Sequence, residues 1–230
     1  MDAKDWLGLT FCVVIWVPIA VGLWRMRKRG ATTIGIGRQV YCCACVGLGL
    51  WLGLSWFWPY FVLAGGPREW LLAAVPGVGM VLLFQLVMPG RLRHPVAWLE
   101  TAKKALHFIV AVGLLEEVWF RGIWFACFKH SFLGSAVLGS VVFGLLHWAH
   151  HAPDIRKGWD DIIGAGAMGF CFACARHNGA GVLLLGLSHG LTDLSLHHLV
   201  VERKQRFGGI ATILVGLLGF VPIAAVTFLW

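Results

Sequence analysis

Charge is what this chain has least of. Asp, Glu, Lys and Arg together make up 13% of its 230 residues, about half the share found in a soluble domain. Against that, 59% of the residues are hydrophobic, more apolar surface than a soluble fold of this size can hide. A water-soluble class is therefore excluded. Linkers, low-complexity tracts and convincing internal repeats are missing as well, so nothing marks off a second domain. A disulfide framework is excluded too. The cysteines number 7, all within apolar segments, and an odd, helix-buried set does not staple a fold. Cys171 and Cys174 have the spacing of a metal or redox pair, but no second pair stands near, and small packing residues are the better reading. The net charge of +8 does not point to nucleic acid. The basic residues lie between apolar runs and form no patch with interleaved aromatics.

What the chain does have is apolar length. A membrane span takes roughly 20 apolar residues. Runs at 5–24, 39–64, 70–88, 104–128, 132–152, 159–175, 179–200 and 208–229 use up the sequence. They predict an all-α fold, a polytopic membrane helix bundle of about eight transmembrane helices. The whole of 1–230 reads as a single integral membrane domain, with its chemistry-bearing core at about 104–200. The run at 5–24 has no basic leader and no small-residue cleavage site, so it is expected to be a retained span. The run at 39–64 carries Pro59 and is expected to bend or end early. Many of the 13 tryptophans, such as Trp24, Trp58, Trp70, Trp98 and Trp159, stand near the ends of these runs. Such placement makes an aromatic belt at a lipid–water interface.

The basic residues orient the bundle. Of the 19 Lys and Arg, 14 fall in the first, third, fifth and seventh connections. Only Lys4, Arg68, Lys129 and Arg176 fall on the opposite side, and Arg121 lies inside a span. Cytoplasmic loops carry the excess of Lys and Arg. The odd connections are thus expected in the cytoplasm, and both termini outside it, in a multi-pass protein of the cell (inner) membrane.

An ionisable side chain inside a bilayer costs roughly 2.5–3.5 kcal/mol or more and is a functional candidate by default. The fourth run holds Glu116 and Glu117, then Arg121. Glu117 and Arg121, four apart, share a helix face and are expected to pair as a structural ion pair. Glu116 points about 100° away and is left as a reactive carboxylate. The fifth run holds Phe143 and His147, again four apart, and His150 and His151 stand at its edge. The seventh holds His189 and Asp193 on one face, where a carboxylate beside an imidazole can fix its tautomer. Together these supply a carboxylate base, imidazoles and polar groups for an oxyanion, the equipment that activates water. They are also legitimate zinc ligands. Gly186-Leu187-Ser188-His189-Gly190 matches a serine nucleophile elbow, but that elbow needs a strand-to-helix turn, and here it lies inside a helix.

These residues resemble the CPBP intramembrane proteases, the group that includes the type II CAAX prenyl endopeptidases and bacterial relatives. The family pattern is EExxxR, FxxxH and HxxxN or HxxxD on transmembrane helices. Here it reads Glu116-Glu117-Val118-Trp119-Phe120-Arg121, then Phe143-Gly144-Leu145-Leu146-His147, then His189-Gly190-Leu191-Thr192-Asp193. The resemblance spans 116–193, while residues 1–100 match only in being hydrophobic. It implies that Glu116 activates water, assisted by His147, and that His189 and Asp193 stabilise the tetrahedral intermediate or orient partners. Glu117, Arg121 and Phe143 take supporting roles. The cofactor is unknown, either none or a divalent metal such as zinc; a metal would be held by Glu116, His147 and His189. Asp193 stands where the family also accepts Asn. An ionised Asp cannot donate to an oxyanion, so it acts through His189 or in protonated form. The expected partners are a peptide or protein substrate in the membrane and the lipid bilayer. The catalytic residues are expected to line one water-filled cavity open to the cytoplasm, with His147 nearest that face. The other readings are a non-catalytic immunity or scaffolding partner and a small proton-coupled transporter.

Overall fold

A computed structural model describes residues 66–93, 97–128, 130–147, 159–202 and 209–229, with helical or turn positions at 6, 10, 14, 17, 21, 22, 24–26 and 28–30. The expected run at 39–64, with Pro59, lies outside the described residues, as do His150 and His151. Within the described residues the chain is helical almost throughout, as the apolar runs predict. They belong to two compact units, Met1–Phe61 with Trp119–Ala173 and Val62–Val118 with Cys174–Trp230.

The second of these units holds α1, Pro67–Val87. Proline is accepted in the first turn because its missing N–H would go unused there, and Glu69 beside it faces the positive end of the helix. The helix is long and apolar enough to cross a membrane. Leu72, Pro76, Met80, Leu83 and Val87 form its buried stripe. Val78, Leu82 and Leu86 are exposed on its other side. A helix in water would carry polar residues there, so that face suits lipid. The buried stripe meets two neighbours through glycine. A Cβ on Gly77 would stand 2.3 Å from Ser188 Oγ, and one on Gly79 would stand 2.9 Å from Ile223.

Helix α2 runs without a break over 98–127, with wide π-type turns at His107–Leu114 and Val118–Ile123 on either side of Leu115–Glu117. Such turns recur at functional sites. Its residues up to Val118 belong to this unit. Helix α5, Val182–Leu194, continues in wide turns over Ser195–Leu199, and α6 is Gly209–Leu229. A two-stranded antiparallel ladder, which periodicity did not predict, joins β1 (Arg91–Leu92) to β2 (Val200–Val201). Arg91 pairs with Glu202 beside it.

The first unit holds the rest of α2, then α3 (Leu133–His147) and α4 (Trp159–His177), whose last turn crosses into the other unit. Trp124 Nε1 on α2 donates to Gly134 O on α3 at 3.0 Å. A Cβ on Gly144 would meet Ile162 O of α4 at 2.6 Å, so α3 and α4 touch backbone to backbone. Arg176, expected in an outer loop, instead stands in the last turn of α4. It is buried and donates to Ala180 O at 3.2 Å.

Candidate active site

The site is built first by glycine. Gly186 and Gly190 stand four apart on α5 and so share a face. A Cβ on Gly190 would lie 2.4 Å from Ile109 Cα, and one on Gly186 2.7 Å from Leu114 Cα. From the other side, a Cβ on Gly113 would lie 2.4 Å from Gly186 O. No side chain separates α2 from α5 here; their backbones are in contact, the small-xxx-small arrangement of membrane helices. The apparent serine elbow is this packing motif. Ser188 lies on another face, against Gly77 of α1.

That contact brings His189 of α5 against the paired glutamates of α2. His189 is 1% exposed. Its Nδ1 stands 2.9 Å from Glu117 Oε1. An ionised carboxylate only accepts, so Nδ1 carries the hydrogen. The carboxylate that orients the imidazole therefore comes from the neighbouring helix. The other ring nitrogen, Nε2, stands 3.8 Å from Glu116 Oε2 and 3.7 Å from Asp193 Oδ2. These lengths exceed a direct hydrogen bond. Glu117 is fully buried, while the Glu116 and Asp193 side chains are 26% and 14% exposed. The Glu116–Asp193 edge is thus the more exposed edge of the cluster.

Arg121, Phe143 and His147 belong to the first unit. Arg121 is buried, and its Nη2 donates to Gly169 O at 2.6 Å. Its guanidinium carbon lies 4.9 Å from the Phe143 ring centre. His147 is half-buried, and its Nδ1 stands 2.9 Å from Phe143 O. The predicted residues are thus found in two groups, Glu116, Glu117, His189 and Asp193 in one unit and Arg121, Phe143 and His147 in the other. Sequence reasoning missed the contact of Glu117 with His189. It also missed the glycines that set the helix contact, whose only signal was the spacing of Gly186 and Gly190. His197, one turn beyond Asp193, is exposed and stacks on Phe108 at 6.0 Å.

A zinc ion takes at least three protein ligands at about 2.0–2.3 Å. Among the described residues no three His, Cys, Asp or Glu side chains are arranged to hold a metal.

Residues 98–195 match the family described as type II CAAX prenyl endopeptidase Rce1-like. The matched stretch contains every residue of both groups. No curated protein and no solved structure matches the chain.

Proposed function

We propose, with the family match over residues 98–195 as premise, that this membrane protein is an intramembrane endopeptidase using a glutamate-activated water. The observation that carries this reading is the imidazole of His189, held by Glu117 on one nitrogen and faced by Glu116 and Asp193 on the other. Glu116 takes a proton from water as its oxygen attacks the scissile carbonyl. A C–O bond forms and the carbonyl oxygen becomes an oxyanion. The doubly protonated imidazole of His189 donates from Nδ1 to Glu117 and from Nε2 to that oxyanion. Glu116 returns its proton to the leaving amine as the C–N bond breaks, which completes hydrolysis. Asp193 acts through His189, and His147 assists Glu116, the role the resemblance assigns to it. The substrate class is a membrane-anchored or prenylated protein with a C-terminal tail, or a membrane peptide precursor.

The same reading takes the chain as one domain of about eight spans in the cell membrane, with the termini outside and the site open to the cytoplasm. The exposed apolar rows support it: Val78, Leu82 and Leu86 on α1, Val141 and Leu145 on α3, and Leu214, Leu218 and Val221 on α6. The function is tested by mass spectrometry of membrane-protein termini in cells carrying the wild type or Glu116→Gln. New termini present only with the wild type are expected, and identical termini would sink the endopeptidase. Cysteine labelling tests the orientation. Externally added reagent should reach positions beside Arg68 and Asn178 but not beside Arg27 or Arg203, and the reverse pattern would overturn it.

A further inference from the structure

The reaction above gives Arg121 no step, yet Arg121 is a cation with 2% of its surface exposed. The groups around it come from three helices. Phe120 of α2, Phe143 of α3 and Phe172 of α4 place their ring centres 5.8, 4.9 and 5.9 Å from its guanidinium carbon. All three lie within reach of a cation–π attraction. Gly169 O of α4 accepts from Nη2. Any residue larger than glycine at 169 would crowd this arrangement, since a Cβ there would stand 2.9 Å from Arg121 Nη2 and 3.0 Å from Phe143 Cδ1.

Phe143 has a second set of contacts one turn further on. Its ring meets the His147 ring edge to face at 4.8 Å. Its carbonyl lies 2.9 Å from His147 Nδ1. A carbonyl oxygen only accepts, so Nδ1 must carry the hydrogen, and in the neutral ring Nε2 is then the accepting nitrogen. Phe143 thus meets His147 through both its carbonyl and its ring, and that ring also meets Arg121.

We propose that Arg121 is a positioning residue for His147. By fixing the Phe143 ring among three helices, it holds the turn that selects the Nδ1–H tautomer and presents Nε2 as a proton acceptor. The inference rests on the reading that His147 takes part in hydrolysis. A lysine, without the planar face that stacks on rings, would serve less well.

The test is histidine side-chain nitrogen NMR on the full chain in lipid nanodiscs, under alkaline conditions that keep the ring neutral. The His147 signal is identified by its loss in His147→Ala. The wild type is expected to show the Nδ1–H tautomer. Arg121→Leu and Phe143→Leu should each give a mixture of tautomers. Each should also lower kcat on a farnesylated CAAX reporter peptide by about 10–100-fold, the scale of a small misplacement, with KM changed by less than about twofold. Arg121→Lys should recover part of both losses. A wild-type His147 in the Nε2–H form overturns the proposal without any variant. So does an unaltered tautomer in Phe143→Leu, the variant that carries the test if Arg121→Leu does not accumulate. A wild type that leaves the reporter intact counts against a prenylated substrate, while the spectrum judges the positioning role separately.

Discussion

Each of the two units buries an ionisable group, and the contacts seen around the two differ. In the unit of α1, α5 and α6, the His189 imidazole lies among three carboxylates. In the other, the Arg121 guanidinium lies among three aromatic rings and a carbonyl oxygen. The carboxylates can change protonation state, and two of them are partly exposed. The rings and the carbonyl cannot titrate. Removing a carboxylate from around His189 should cost activity, and removing Arg121 should cost stability.

The largest effect expected is that of Glu116→Gln. It removes the base, and a loss of cleavage of about 10²–10⁴-fold is expected with wild-type yield in membranes. Near-normal turnover would end the mechanism. Glu117→Gln comes next. It keeps the shape but not the charge beside His189 Nδ1, and a loss of about 10²–10³-fold is expected, the scale of a disabled oxyanion donor. Equal activity for wild type and Glu117→Gln would show that Glu117 stands outside the chemistry. Arg121→Ala should act on folding. It gives up a charge-assisted hydrogen bond and the ring contacts, together worth about 2–4 kcal/mol. Detergent-solubilised yield should fall well below that of Glu116→Gln, and matching yields would erase the contrast between the units.

Gly190→Ala is a smaller perturbation. Its methyl must push α2 away from α5, at a cost of about 1–3 kcal/mol, seen as a lower unfolding midpoint together with reduced cleavage. A fully active, fully stable Gly190→Ala would mean that the helix contact does not set the site. Ser188→Ala should change least, because Ser188 faces Gly77 and not the cluster. An inactive Ser188→Ala would revive the serine reading.

The site was legible in sequence wherever its logic is local. Apolar helices make any charge conspicuous, and four-residue spacing put His189 with Asp193 and Phe143 with His147. The contact of Glu117 with His189 was not legible, because it depends on the rotation of α2 against α5, which is set by Gly113, Gly186 and Gly190. The Arg121 cage depends on Gly169 and Phe172, about 50 residues away, which no local pattern links to it. A two-residue ladder such as Arg91–Leu92 with Val200–Val201 is too short to have a periodicity at all.

The bare backbone contact between α2 and α5 also bears on how such a protein could be inhibited. The spacing of the base and the imidazole is set by main chain meeting main chain, and no long side chain can reorient to absorb a disturbance. A small apolar molecule wedged at Gly113 and Gly190 would part Glu116 from His189 without occupying the place of the substrate. Its inhibition would then not be relieved by raising the substrate concentration.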